Sequence, residues 1–320
     1  MTSDAVIAGV ITGPTKGRRA LRGLWRVRSA RWGVVVLGFY LIVVLIGPLV
    51  VSGSPSSDAN FQDLAHTLLP WSGSHPFGTD DFGRDELVRL IEGGRYTLLI
   101  GIAAVGVGLA IGVPLGAVSG YYRGWVDMLI QRLVDILLAF PSFLLALALV
   151  ASLGPGIRNL VLAVALTSFP RIVRLLRASV LAARELPFVE SARARGASPR
   201  RILWRHVLPN AIAPILVQTP LELGSAILTA AGLGFLGLGV QQPTPEWGSM
   251  LGASQDLMLG HGSLVTLPGL AIAGLILGFN LLGDGLRDIL DPRIRIDLSR
   301  RPSRRLLRIA KLATRGGARR

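Results

Sequence analysis

Three groups of residues in this sequence have types and spacings that could carry chemistry. The first is Phe188 to Asn210, FVESARARGASPRRILWRHVLPN. Pro187 suits the first turn of a helix and Gly196 suits the residue that stops it. Ser198 and Pro199 supply an N-cap and first-position pair that opens a second short helix towards Pro209. Two short basic helices held at an angle are expected, and one reading of them is an interfacial element anchored to anionic lipid. The second group is Gln218 and Glu222 in QTPLELG. Pro220 weakens the helix just ahead of the carboxylate, and Gln218 lies one turn earlier on the same face, so this stretch is polar enough to line a cavity. An unpaired charge at membrane depth is costly, so Glu222 needs a partner, a proton or water. The third group is Arg171, Arg174 and Arg177, whose three-residue spacing places them on adjacent turns from which they are expected to snorkel to headgroups.

Some chemistry is excluded. The chain has no GxxxxGK[ST] loop to cradle a nucleotide and no HExxH or clustered carboxylate set for a metal, and His66, His75, His206 and His261 are scattered. It has no cysteine, so disulfides and thiolate metal sites are impossible. No cofactor is expected in this chain, and any energy must come from another subunit.

The elements that position these groups are apolar. Of 320 residues, 51% are hydrophobic and 17% charged, with a mean hydropathy of +0.54. A hydrocarbon core of roughly 30 Å takes about 20 helical residues to cross, and several blocks are that long. The fold class is therefore all-α, a polytopic membrane protein with six expected spans: Gly33 to Val51, Thr97 to Val118, Leu133 to Ser152, Ile157 to Leu176, Asn210 to Leu238 and Ser263 to Leu286. A signal peptide would have a shorter apolar core than the first block, which reads as an uncleaved span. Gly108, Gly112 and Gly116 fall on one helix face, where a neighbour can approach closely.

Net charge is +15, which in a soluble protein would suggest nucleic acid, but here the charge follows the spans. Seven Lys/Arg precede the first span, nine lie between Arg171 and Arg205, and twelve run from Arg287 onward. The stretch from Gly239 to Gly262 has none, and between the first two spans acidic residues outnumber Arg84, Arg89 and Arg95. The positive-inside rule makes the three basic segments and both termini cytoplasmic. The expected organisation is a basic segment 1–32, a first span and outward loop 33–96, a core 97–293 that includes the cytoplasmic loop 178–209, and a basic tail 294–320.

The Glu190-Ser191-Ala192 start, the glycine six residues after Glu190 and the Leu208-Pro209 end resemble the coupling loop of inner-membrane permeases in binding-protein-dependent ABC importers. HPFGTDDFGRDELVRLIEGGRYTLLIG, GYYRGWVDMLIQRLVDILLAFPSFLLAL, GFLGLGVQQPTPEWGSML and FNLLGDGLRDILDPR, in this order between His75 and Arg293, resemble the "C" subunits of dipeptide, oligopeptide and nickel importers. Each also has a local reading. FGTDDFGRD is a capped turn ahead of a helix, Trp247 an interfacial anchor, and Asp284, Arg287, Asp288 and Asp291 a set of local ion pairs at a span end. Ala230 stands where oligopeptide-type members tend to carry an acid, which leans towards the dipeptide type.

The resemblance implies a type I ABC importer permease fold, a bacterial inner-membrane location, and a chain that is not itself an enzyme. It implies a second permease subunit, two ATPases that bind the ATP and magnesium, an extracytoplasmic substrate-binding protein, and a lipid surround, with no nucleic acid. Glu190, Ser191, Ala192, Gly196, Leu208 and Pro209 would contact the ATPase. Gln218 and Glu222 would face the pathway, where Glu222 could meet the amino group of a passing peptide; the alternative is a carboxylate protonated or paired against a neighbouring span. Peptide is the expected solute and nickel the rival within the family. A self-sufficient secondary carrier would be expected to show internal repeats, and no convincing repeat is found.

Overall fold

The computed structural model describes residues 25, 27–51 and 58–290. Most of the basic head, Ser56, Asp291 and the tail 294–320 lie outside the described residues. The described chain is helical, with one isolated bridge between Thr79 and Asp85. Its helices are α1 (Arg28–Val51), α2 (Glu86–Tyr122), α3 (Gly124–Leu138), α4 (Ser142–Leu153), α5 (Ile157–Ala183), α6 (Pro187–Ala194), α7 (Pro199–Ile202), α8 (Leu208–Ala211), α9 (Ala213–Phe235), α10 (Trp247–Ala253) and α11 (Ser263–Leu290). A π turn, Leu203–Val207, joins α7 to α8.

Helices α1, α2, α5, α9 and α11 are each long and apolar enough to cross a membrane. The third expected span is not one straight helix: it begins at Gly124 rather than Leu133, and α3 and α4 meet at 87°. Pro141 causes the break, because its ring cannot follow a helical turn and it biases Phe140 away from helical geometry. Counted as one crossing, the bent pair makes the sixth span.

Two of the three expected glycines, Gly112 and Gly116, bring α2 close to α5; Gly120 extends the row, and at Gly108 a Cβ would meet only ordinary contacts from 3.6 Å. Gly112, Gly116 and Gly120 let α2 lie directly against α5, where a Cβ at Gly116 would stand 2.8 Å from the Val173 carbonyl oxygen and one at Gly120 2.8 Å from that of Arg177. Helix α1 lies on α11 in the same manner, with Gly33 against Leu282 and Gly285 against Ala30. At the far end FGTDDFGRD is the capped turn expected: Asp80 accepts from the Phe82 and Arg84 amides, and Asp85 caps α2 through the Val88 amide. Asp284, Arg287 and Asp288, in contrast, make no ion pair with one another.

The segments that charge asymmetry assigned to one side do meet at one end of the bundle. The buried Arg89 guanidinium donates to the Ala59 carbonyl at 2.8 Å and the Pro243 carbonyl at 3.4 Å, with Asp80 3.4 Å from its Nε. Trp247 is there too, and it is no interfacial anchor. It is 2% exposed, its indole lies over Gly93 and Gly94, and its Nε1 donates to the Leu90 carbonyl at 2.8 Å. Two adjacent glycines leave the slot that the ring fills, and buried contact outweighs an interfacial seat.

Candidate functional site

The opposite end carries the Phe188–Asn210 segment. Helix α6 starts with Pro187 at its first position and stops as the sequence predicts. Gly196 has φ +78°, its amide bonds to the Arg193 carbonyl, and the Ala197 amide reaches back to the Ala192 carbonyl at 3.2 Å. These two bonds are the Schellman pattern, which requires the left-handed residue that glycine tolerates without strain. Ser198 then caps α7 by accepting from the Arg201 amide. The second helix does not end at Pro209. That proline has no N–H and its ring would crowd the Arg205 carbonyl, so the chain widens into the π turn, with the Leu208 amide bonded to the Leu203 carbonyl, and continues to Ala211.

The hairpin has an apolar inner face. Val189, Ala192, Ile202, Leu203 and Val207 are buried against Ala117 and Tyr121 of α2 and Val180 and Ala183 of α5. Two polar clamps flank it: Arg184, just before α6, donates to the Tyr121 carbonyl of α2 at 2.5 Å, and Ser179 of α5 to the Ala211 carbonyl just after the hairpin at 2.6 Å. Of the six residues assigned to coupling, Glu190, Ser191, Gly196 and Pro209 are exposed, Leu208 is half-buried, and Ala192 points inward as part of the seat. Beside them a basic groove of about 320 Å³ is lined by Ala192, Arg195, Gly196, Arg201, Arg205 and His206. Its arginines suit an acidic partner surface.

The second group sits deeper. Glu222 is buried and paired with a neighbouring span, which is one of the alternatives open in the sequence. Arg171 donates to both its oxygens, through Nε at 3.2 Å and Nη2 at 2.9 Å, while Gln218 donates to Oε1 at 3.2 Å. All three arginines are paired with carboxylates of other helices, which their spacing alone did not foresee. Arg174 pairs with Asp135 and Arg177 with Asp127, so each turn of α5 is tied to another helix. Partners 39 to 51 residues away compensate each charge within the protein.

Glu246 was not singled out in the sequence. It is 1% exposed and accepts from Thr97 Oγ1 at 3.0 Å and from the Gly248 and Ser249 amides at 2.9 Å, capping α10 and holding it against α2. Burial pushes its carboxyl above the usual carboxylate range. The available signal was its place just before Trp-Gly-Ser, an acidic N-cap ahead of a short helix. Ala230 is buried in the core shared by α2 and α9.

This arrangement is a helical bundle with a ladder of ion pairs along α5 and a clamped basic hairpin at one end. The family described as the binding-protein-dependent transport system inner membrane component matches residues 112–296. The chain belongs to that family. Among similar proteins, the dipeptide transport system permease protein DppC of Alkalihalophilus pseudofirmus is 44% identical over 278 residues, covering 87% of this chain and 90% of that protein. The di/tripeptide transport system permease protein DppC of Pseudomonas aeruginosa is 45% identical over 272 residues, 84% of this chain and 89% of its own length. The glutathione transport system permease protein GsiD of Pectobacterium atrosepticum is 42% identical over 280 residues, 87% and 93% of the two chains. Among solved structures, the inward-facing MetNI methionine ABC transporter superposes with a TM-score of 0.52 at 19% identity, over 63% of this permease and 97% of that chain. The fold is that of a type I ABC importer permease, and the permease is a multi-pass inner-membrane protein.

Proposed function

We propose that this permease forms half of the membrane pathway of an ATP-driven importer of short peptides, dipeptides foremost. A second permease completes the pathway, two cytoplasmic ATPases bind the ATP and magnesium, and an extracytoplasmic binding protein delivers the solute. The observation that carries the coupling role is the clamped hairpin, which exposes Glu190, Ser191 and Gly196 beside a basic groove while its other face is sealed onto α2 and α5. Closure of the ATPases pulls α6, and the seat of Val189 and Ala192 passes that pull to the ends of both long helices. The peptide assignment draws on the transport described for the DppC and GsiD relatives.

Reconstitution with its partner permease, ATPases and binding protein tests this: dipeptide uptake should require ATP and the binding protein together. Nickel uptake without peptide uptake overturns the substrate. Orientation is tested with single cysteines in this cysteine-free chain. Gln255, exposed where Ser254 is buried, should react with an impermeant thiol reagent from outside, and Arg193 should not. The reverse pattern overturns cytoplasmic coupling and termini.

A further inference from the structure

The ion pair between Arg171 and Glu222 is asymmetric. The Glu222 side chain is 4% exposed and that of Arg171 is 38%. Both carboxylate oxygens are occupied, Oε1 by Arg171 and Gln218 and Oε2 by Arg171. A guanidinium has five N–H donors. Two are given to Glu222, and Nη1 reaches Ser142 Oγ only at 3.5 Å. The charge that this centre can offer a ligand is therefore the cation, backed by a carboxylate that holds its plane in place. Glu222 is shielded from an approaching amine by its burial, whereas Arg171 is not.

Its depth and direction fit a pathway. Arg171 lies fourteen residues beyond Ile157, about 21 Å along α5 at 1.5 Å per residue. Below it, Arg174 and Arg177 continue a charged ladder one turn at a time, with Asp135 and Asp127 of α3 as partners. Charged groups at membrane depth face a bundle interior or a water-filled cavity rather than lipid, so the exposed edge of Arg171 belongs to the pathway side. A planar guanidinium with a free edge matches a carboxylate.

We propose that Arg171 is the membrane-depth contact for the carboxylate of the transported solute, and that Glu222 and Gln218 are its positioning residues. This rests on the peptide reading above, and it reverses the polarity expected from the sequence: the solute's acid is recognised here rather than its amine. Removing Arg171 alone would strand a buried carboxylate, so the test neutralises both partners.

In proteoliposomes holding the full complex, uptake of dialanine and of its C-terminal amide is compared for the wild type, R171K and R171Q/E222Q. The same binding protein serves all three, so a change in the acid-to-amide ratio reports the permease. Loss of a charge-assisted contact predicts that R171Q/E222Q, at wild-type levels of assembled complex, takes up the free acid at least about tenfold more slowly and loses its preference over the amide. R171K keeps the charge without the planar fork and should keep only part of both. Near-wild-type uptake with an unchanged ratio in R171Q/E222Q shows the pair to be purely structural and overturns the proposal. If that variant fails to assemble, R171K decides, since an unchanged rate and ratio there overturn it equally. A wild-type complex that moves neither compound, with ATP and binding protein present, overturns the peptide reading and this assignment together.

Discussion

At the end formed by residues 58–85 and 239–262, Arg89, Glu246 and Trp247 bury their polar atoms and bond them to backbone carbonyls of loops and of α2, to backbone amides and to Thr97. At the coupling end the buried residues are almost all small or aliphatic, and the charged ones, Glu190, Arg193, Arg195 and Arg200, point to solvent. A buried, bonded polar group is costly to separate from its partner, whereas an exposed charge is free to meet another protein. On the proposed coupling role, the difference separates an end that stays fixed from one that an ATPase grips and moves. Variants at the first should damage folding, and variants at the second should damage transport in a protein that still folds.

The largest expected effect tests the fixed end. Trp247→Ala leaves a cavity over Gly93 and Gly94 and removes the indole's additional hydrogen bond to the Leu90 carbonyl, so unfolding in detergent should become easier by about 3–5 kcal/mol. A thermal melt of the purified protein reads this, and a change below about 1 kcal/mol would mean that the indole is not what joins α10 to α2. Transport per folded molecule should change far less than the amount of folded protein.

Gly196→Val sharpens the other half of the comparison. A Cβ there would meet nothing within 4 Å, so space is not the obstacle; the obstacle is the φ of +78°, which a β-branched residue resists at a cost of roughly 1–3 kcal/mol. The strain is relieved by turning α6 relative to α7, which costs little global stability because the turn is exposed. Uptake should fall more than about tenfold, and the ATPases should dissociate or turn over without transport, while membrane insertion is unchanged. Transport near the wild-type rate would remove the docking role from this turn.

What the sequence disclosed follows the same division. Local rules were enough for the coupling hairpin, because Pro187, Gly196, Ser198 and Pro199 act on neighbours within a few residues. The glycine face of α2 was legible for the same reason, through a helical repeat. The partners of Arg171, Arg174 and Arg177 were not, since each carboxylate lies 39 to 51 residues away and nothing in local spacing chooses among the acids. The 87° turn at Pro141 was half legible: a proline announces a break, but the angle is set by how α4 packs on α5. Trp247 and Glu246 were misjudged or missed because an aromatic or acidic residue in a loop usually faces outward, and only the slot at Gly93 and Gly94 and the Thr97 hydroxyl reverse that.

The smallest expected effect is a pH dependence that belongs to the fixed end alone. Glu246 is buried among uncharged donors, Thr97 and the Gly248 and Ser249 amides, and burial raises its carboxyl pKa. The folded state therefore keeps this proton at pH values where the unfolded chain has lost it. The stabilising contribution is complete below the ordinary carboxylate range and is lost as pH rises through the raised value. Glu246→Gln carries no ionisable group, so it should remove that slope. Its amide nitrogen also faces a backbone N–H where an oxygen stood, which loses one hydrogen bond at a cost of about 1 kcal/mol. Melting temperatures measured from about pH 4 to pH 9 should start with the variant slightly below the wild type and end with the gap narrowed or reversed. Parallel curves would mean that Glu246 titrates alike in the folded and unfolded protein, its three donors offsetting burial, and that the fixed end holds through its hydrogen bonds whatever the charge.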